Sequence, residues 1–545
     1  MKTVRIIFGL VAVVLGAGCF EKPNRTSGSP STILYRHHFL GTANLAHNTN
    51  NAKLAAFLAQ PASRELGGQL AQKLAGGAAQ LWRQFLPAGA PPQPALIRPL
   101  LDDLMAAESY AEVRGPLHRG ESVFAVELPE ERAGLWRTNL SSILTVWKFG
   151  KPGPLSAGES SGWELKRAEA PGLIRFVRSG KWVLIGLGQD RLTLLPALLE
   201  QISKTGRPVV QGPNVPLELE ADLPRLGEWL PGISTLGLPS THLTIFGRGD
   251  YLRTEARLTF SQSLPLVAEP WRVPTNLVGD PLISFTVARG VEPILNQVKD
   301  ISALGLKPLP NQFCSWGPDT AHVDTFLTFP VSNPSNALFR MGPELPDFFT
   351  RLLSQSIGGF TLISNRFEIL WTGWPVLVPR LIAVRDSGAE YLLGSLLPIR
   401  LATNRPPPEL FNQFMGRTNL VYYDWEITQA RLKHAKQLQQ LWDIAGRRKA
   451  TSTNAPAQKW LAAITPLLDN TITEATLTSP TELFLVRRSD IGFTGVELVA
   501  LARWFGSPGF PWTFEPPPLL TSRTNGPGSR TNPAAPSFPA PAPKK

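Results

Sequence analysis

One short stretch occurs twice in this chain, which restricts it to architectures that can be built in two related parts. Residues 173–186 read LIRFVRSGKWVLIG and residues 381–394 read LIAVRDSGAEYLLG. They align without a gap and share Leu173, Ile174, Ser179, Gly180, Leu184 and Gly186 of the first copy. Gly180 and Gly388 supply the positive φ that a tight strand reversal needs, and Ser is tolerated beside them. With the Ser-Gly pair as the loop, Arg178 faces Lys181 and Val177 faces Trp182. One sheet face then carries Ile174, Phe176, Val183 and Ile185. The same register in the second copy groups Ile382, Val384, Tyr391 and Leu393, and sets Arg385 opposite Glu390 as a favourable cross-strand pair.

Other landmarks follow in the same order. SVFAVEL from Ser122 is a strand candidate with a helix after it, EERAGLWRTNLSSIL, and LISFTVAR at 282–289 takes the matching place in the second half. PLELEADL at 216–223 is matched by NLVYYDWEI at 419–427, and the strand pair at 241–260 by that at 471–489. Extra material lies around 303–360, and a Ser/Thr/Asn/Pro-rich break at 449–457. The expected fold class is therefore α+β: two related halves, each a mainly antiparallel sheet with packed helices, plus a disordered Pro-rich tail. The divisions are a signal peptide at 1–19, a polar tether at 20–32, a first repeat at 33–265 with N-terminal helices, a second at 266–514 with insertions, and a tail at 515–545. That tail, PPPLLTSRTNGPGSRTNPAAPSFPAPAPKK from Pro516, has too little apolar surface to bury a core.

Helices are expected at 52–60, 64–86 and 95–107. In the second, Leu66, Leu70, Leu74, Leu81 and Phe85 form one apolar stripe, suited to packing on a sheet. Asp190 is placed to cap a helix ending near Ser203, and Thr428 to cap one carrying Leu438, Leu441, Trp442 and Ala445.

The N-terminus has the layout of an export signal. Lys2 and Arg5 precede an apolar run from Ile6 to Leu15, too short for the ~20 residues that span a bilayer. Gly16-Ala17-Gly18-Cys19 then resembles the lipobox of bacterial lipoproteins, and that resemblance implies cleavage before Cys19 and lipidation of its thiol. Simple secretion and an uncleaved anchor fit the same layout. All three place the chain outside the cytoplasm, at the periplasmic or outer-membrane face.

The net charge of +12 comes from scattered residues, and the densest basic run is Arg447-Arg448-Lys449. Nucleic-acid binding calls for a basic stripe or arm, so it is not expected. Expected partners are the membrane, through the lipid anchor, and envelope polymers or another envelope protein. With Cys19 lipidated, Cys314 has no cysteine to pair with, and neither a disulfide framework nor a cysteine-rich zinc site can form.

Motifs that could carry chemistry are weak. Gly158-Glu159-Ser160-Ser161-Gly162 matches a nucleophile elbow, but strand-like WELKRAEA follows where a helix is required. Cys314 lacks a thiol-protease context, although His322 is close in sequence, and reads as a buried, inert residue. His37, His38, His47, His118, His242, His322 and His434 include no metal-binding helical pair, and His37 and His38 would point to opposite faces of a strand. Arg248-Gly249-Asp250 spells an adhesion tripeptide at a hairpin tip, where Gly and Asp serve strand reversal alone. Asp424 and Glu426 share one face of a strand, as an acid/base pair would, or would form an exposed edge or pair with Arg. The 15 Trp residues, with Trp371 and Trp374 close together, suit either sugar stacking or a core.

The layout from anchor signal to the closing GFTGVELVALARW at 492–504 resembles a family of uncharacterised, N-terminally anchored exported bacterial proteins. The resemblance implies no known activity and transfers no functional residue. The sequence therefore assigns no catalytic, cofactor or metal residues, only Cys19 for lipidation. It favours a non-catalytic envelope protein that binds or scaffolds, over an exported hydrolase or glycan-binding enzyme built from dispersed carboxylates and Trp. A local function is expected where the halves differ, around 303–380 and 424–449.

Overall fold

The computed structural model describes residues 33–81, 90–115, 120–157, 160–166, 172–189, 192–209, 215–229, 238–297, 306–319, 324–352, 361–364, 367–372, 378–397, 404–445 and 454–511. The signal peptide with Cys19, the tether, the tail, Asp190, His118, His322, Trp374 and Arg447-Arg448-Lys449 lie outside them.

The described chain is α+β, with its strands in one antiparallel sheet. The first half contributes β1 (Ile33–Phe39), β2 (Ser109–Arg114), β3 (Glu121–Glu127), β4 (Gly153–Ala157), β5 (Ser160–Lys166), β6 (Leu173–Ser179), β7 (Trp182–Gly188), β8 (Leu217–Asp222), β9 (Ser240–Gly247) and β10 (Leu252–Thr259). The second contributes β11 (Leu282–Arg289), β12 (Gln312–Pro318), β13 (Phe326–Pro330), β14 (Thr361–Ser364), β15 (Glu368–Thr372), β16 (Arg380–Asp386), β17 (Ala389–Ser395), β18 (Leu420–Ile427), β19 (Asn470–Ser479) and β20 (Glu482–Ser489). Spatial order in the first half is β4-β5-β6-β7-β3-β2-β1-β8-β9-β10. In the second it is β14-β15-β16-β17-β13-β12-β11-β18-β19-β20. The two orders are the same, and β10 pairs with β20 to join them. The repeat is thus written in the connectivity itself.

That connectivity corrects two details of the sequence reading. LISFTVAR is β11, the counterpart of β1, and not of the β3 strand that holds SVFAVEL. The hairpins also differ in register. The second turns at Ser387-Gly388, both at positive φ, with Arg385 opposite Glu390 as expected. The first turns at Gly180-Lys181, so Arg178 faces Val183 and Ser179 faces Trp182. A two-residue change in pairing keeps Ile174, Phe176, Val183 and Ile185 on one face. It also shifts the equivalence between copies by one residue. Ile382 and Leu393 pack in a different core, with Phe285, Cys314 and Trp316. The true counterparts of Ile174, Phe176 and Ile185 are Leu381, Ala383 and Leu392, so the gapless alignment matched opposite faces of the sheet.

Paired residues trace one row across the sheet on a single face. It runs Val183, Val126, Ser109, Phe39, Leu217, Ile245, Thr254, Arg487, Thr473, Asp424, Thr286, Ser315, Leu327, Gly394 and Leu381. Helices cover this face in both halves, some from matching connections, after β3 and β13 and after β8 and β18, and others from connections that differ. In the first half they come between β1 and β2: α1 (Thr42–Leu45), α2 (Ala52–Ala59), α3 (Pro61–Leu81) and α4 (Pro94–Ala106), joined by α5 (Glu130–Val146) after β3. Then follow α6 (Leu194–Thr205), α7 (Leu223–Trp229), α8 (Glu292–Gln297), α9 (Pro334–Leu352) and α10 (Pro408–Asn412). The second half's cover comes after β13, as α9 on β14 to β17, after β18, as α11 (Thr428–Ala445) and α12 (Pro456–Ile464), and after β20, as α13 (Gly495–Gly506). In the stripe of α3, Leu66 and Leu70 pack with α12 and α13 and Leu74 with α13, not on the sheet, and Phe85 lies outside the described residues. Lys73 ties α3 to the end of α13 through the Phe505 and Ser507 carbonyls, at 2.6 and 3.1 Å.

The opposite face holds its own cores, one under α6 with Trp182 and Leu184, the other around Phe285 and Phe414. At the end of β11, Arg289 is 4% exposed and has no carboxylate hydrogen-bond partner among the described residues. It donates instead to the carbonyls of Leu420, Glu269, Arg417 and Thr418 and lies 4.3 Å over the Trp271 ring. This clasp holds the segment that links the halves against the second sheet.

Candidate functional site: an apolar cavity in the first half

Between the first-half sheet and α2 to α5 lies a cavity of about 680 Å³, partly open to solvent. Ligand pockets for small molecules span ~300–1,000 Å³, so its size is that of a binding site. The sheet supplies its floor by strand alternation. Tyr35, His37 and Phe39 of β1 point one way, with Phe124 of β3, Ile185 and Leu187 of β7, and Leu217 and Leu219 of β8. The roof is built from helical spacing: Ala71, Leu74 and Ala78 of α3, Ile97, Leu101 and Leu104 of α4, and Leu140, Ile143 and Leu144 of α5.

Three tryptophans line the wall, and each donates its N–H elsewhere. Trp136 gives it to Asp103 at 2.8 Å, Trp147 to the Pro91 carbonyl at 2.9 Å, and Trp163 to the Arg137 carbonyl at 3.3 Å. Asp103 also takes a bidentate grip from Arg132, which locks α4 to α5. The indoles therefore show only their apolar bodies to the cavity. No Asp, Glu, Lys or Arg is among its described lining residues.

The polar groups on the wall are few and lie on β1 and beside it: Tyr35, His37, Thr42 and Ser109. His37 is 8% exposed, and its buried Nδ1 has no hydrogen-bond partner among the described residues. Burial, with His38 next in the chain, pulls its pKa down to about 4, so it is neutral at pH 7. Burial likewise pushes the Tyr35 phenol up, and the two rings lie 5.5 Å apart. His38 points to the other face, as expected, and meets buried Glu108 at 2.9 Å.

The topology orients the cavity. Phe39, Thr42, Ser109, Met105 and Leu217 lie at one end of the strands, because β1 ends there while β2 and β8 begin. Met105 and Phe493 line the cavity yet are 44% and 37% exposed, so this end meets solvent. Trp147 and Phe149 follow α5, which runs back from the end of β3, and so mark the far end.

The residues singled out in the sequence go elsewhere. Cys314 is buried in the second-half core, where burial pushes its thiol pKa up and keeps it inert. Ser160 starts strand β5, with no helix after it, and a side chain at Gly162 would fall 1.8 Å from the Phe176 carbonyl. Arg248-Gly249-Asp250 does form the β9–β10 turn, and the Gly249 amide binds the Asn50 carbonyl at 2.9 Å to seat the start of α2. Thr428 gives its hydroxyl to Thr471 at 2.7 Å. Glu121 takes the capping role at α6, accepting from the Leu194 amide at 2.6 Å.

Asp424 and Glu426 do share a face, but they are 7% and 2% exposed and form no edge. Thr286 donates to Asp424 at 2.6 Å, and the Gly495 amide at the start of α13 donates to Glu426 at 2.7 Å. Burial and the neighbouring Asp424 push Glu426 up to about 7, and burial raises Asp424 as well. Beside them Arg487 holds Glu497 through two hydrogen bonds, at 2.7 and 3.1 Å.

The cavity was not foreseen. Residues 33–39, ILYRHHF, do not alternate cleanly as a strand, and the hollow forms only when helices from two connections meet over the sheet. Regions 303–380 and 424–449, where function was expected, lie in the other half. Comparison with protein-family models, with curated proteins and with solved structures returned no match.

Proposed function

We propose that the protein is a non-catalytic binding protein that holds a long apolar molecule between its first-half sheet and α2 to α5. The observation that carries this reading is a cavity of about 680 Å³ with an apolar wall and three indoles whose N–H groups point away. The cavity opens to solvent, so its apolar wall meets water when empty, and an apolar ligand that covers it removes that surface from water.

The competing reading, an exported hydrolase, needs carboxylates and Trp in one cleft. Here the Trp side chains line the cavity, while Asp424 and Glu426 are buried under α11 and α13 in the other half. An envelope site with a lipidated Cys19 would place the cavity beside its ligand source, the membrane. No described helix is long and apolar enough to cross a membrane.

Titration of the full chain with a brominated acyl chain tests the proposal through tryptophan fluorescence. The expected result is saturable quenching at one site, reduced in Trp136→Leu combined with Trp163→Leu, where Trp147 is left of the three. Quenching that never saturates, or none at all, would count against it.

A further inference from the structure

The second half carries a cleft of its own, with chemistry opposite to that of the apolar cavity. It holds about 290 Å³ and lies between the segment that links the halves, the loop before β12 and the start of α9. Small-molecule pockets span ~300–1,000 Å³, so this volume suits a ligand the size of an amino acid or a dipeptide. Two amide side chains fix its walls. Gln312, 2% exposed, accepts from the Arg272 amide at 3.0 Å and donates to the Pro270 carbonyl at 2.8 Å. Asn311 donates to the Val267 carbonyl at 2.9 Å and accepts from the Glu292 amide at 3.4 Å. Leu306, Leu309 and Ala337, which also line the cleft, belong to a packed core.

Five charged side chains face this space: Arg272, Lys307 and Arg340, with Glu269 and Glu292. None of the five has an ion-pair or side-chain hydrogen-bond partner among the described residues. Elsewhere in this half neighbouring charges do pair, Arg380 with Glu368 and Arg385 with Glu390. In the cleft both signs stand apart around one volume, each available to a ligand. Cations outnumber carboxylates, and Arg289, buried without a carboxylate, donates to the Glu269 carbonyl at 2.6 Å and adds to the excess. The field in the cleft is therefore positive overall, with two negative points within it.

We propose that this cleft binds a small acidic zwitterion of the class of short acidic peptides. Its carboxylates would meet Arg272, Lys307 and Arg340, and its ammonium would meet Glu269 and Glu292. A simple anion would set its charge beside two carboxylates, and a simple cation beside three basic groups. A ligand of both signs with a negative excess satisfies the whole set, and the guanidinium fork matches a carboxylate in two hydrogen bonds.

Calorimetric titration of the full chain with alanyl-glutamate, its N-acetylated form, alanyl-glutamine and alanyl-lysine, at pH 7.5 and low salt, tests the proposal. Alanyl-glutamate is expected to bind once per chain, at least about tenfold more tightly than each of the other three, the effect of one charged hydrogen bond. Arg340→Gln should weaken alanyl-glutamate about tenfold. Glu269→Gln combined with Glu292→Gln should erase the preference over the acetylated peptide. These side chains have no partners to lose, so the denaturation midpoints should stay unchanged. Equal or tighter binding of the acetylated peptide would show a plain anion site and overturn the inference. So would no measurable binding of alanyl-glutamate, or binding that Arg340→Gln leaves unchanged. Quenching by the brominated acyl chain should persist in every variant, so failure here leaves the first-half reading intact.

Discussion

Along the row that crosses the sheet, the first half presents Phe39, Leu217 and Ile245 to its covering helices, whereas the second presents Thr473, Asp424 and Thr286. The strand order is the same on both sides, so the order of strands does not decide which half is hollow. The first half inserts α1 to α4 between β1 and β2, and its side-chain chemistry under the helices differs as well. Hydrogen bonds work only within a narrow distance, and a buried polar group without a partner is costly. The second half's polar row therefore draws its helices down. The amide at the start of α13 reaches Glu426 at 2.7 Å, and α13 lies so close to α11 that a Cβ on Gly495 would fall 2.6 Å from the Leu432 amide. An apolar floor sets no such distance. It tolerates helices held off by their own contacts, such as the Asp103–Arg132 grip between α4 and α5, and the space beneath stays available to a ligand.

The largest effect expected from this contrast comes from loosening the filled half. Glu497 completes a capping box with Thr494 at the start of α13 and also pairs with Arg487. Glu497→Ala removes both roles and leaves a guanidinium whose side chain is only 15% exposed without its carboxylate, holding only the Thr473 hydroxyl and the Gly492 carbonyl. Breaking a partly buried pair together with a cap should cost about 3 kcal/mol. Chemical denaturation would show a lower midpoint, while binding of the brominated acyl chain in the first half should be unchanged in the folded protein. A loss below about 0.5 kcal/mol would mean that the polar row does not hold α13 in place.

How much of this contrast could be read in the sequence depends on the residue. The turn at Gly388, the pair Arg385 with Glu390, and the shared face of Asp424 and Glu426 all follow from period-two alternation and turn chemistry, which are local. The Leu spacing of α3 was equally plain. What it docks on was not, because α12 and α13 reach it from a distant part of the chain. The hairpin match is instructive. Its shared Ser-Gly pair suggested one register for both copies, yet Gly180 takes the first turn position in one and Gly388 the second in the other. Strand order, which no short stretch encodes, proved the sounder evidence for two related halves. The cavity was the least legible feature, since a hollow is set by what fails to meet.

A middle-sized effect should depend on pH. Glu426 has its pKa raised from an ordinary 4.5 to about 7 by burial and by Asp424. A carboxyl that holds its proton more tightly when folded adds stability that is complete below pH 4.5 and is lost as pH rises through about 7. Glu426→Gln keeps an oxygen for the Gly495 amide and removes the titration. The variant should match the natural protein near pH 4.5 and exceed it by about 2 kcal/mol at pH 8. Denaturant midpoints at the two pH values would check this. A variant that loses stability at pH 8 would show that the ionised carboxylate is a favourable part of the network.

The smallest expected effect is the most direct comparison of hollow and filled. Ala78 of α3 lines the cavity at 7% exposure, and Ala502 of α13 is packed at 1% exposure over the second half. The same change, Ala→Phe, should act with opposite signs at the two sites. At Ala502 the ring has no space and overpacking should cost ~1–3 kcal/mol. At Ala78 the ring enters the hollow and removes apolar surface from water, which should stabilise the free protein by about 1 kcal/mol. It should also weaken binding of the brominated acyl chain, because the ring occupies its place. Thermal unfolding with and without that chain resolves both parts. The natural protein should gain in midpoint with ligand, and Ala78→Phe should start higher and gain little. If Ala78→Phe instead loses stability as Ala502→Phe does, the first half is packed in solution and the contrast between the halves does not hold.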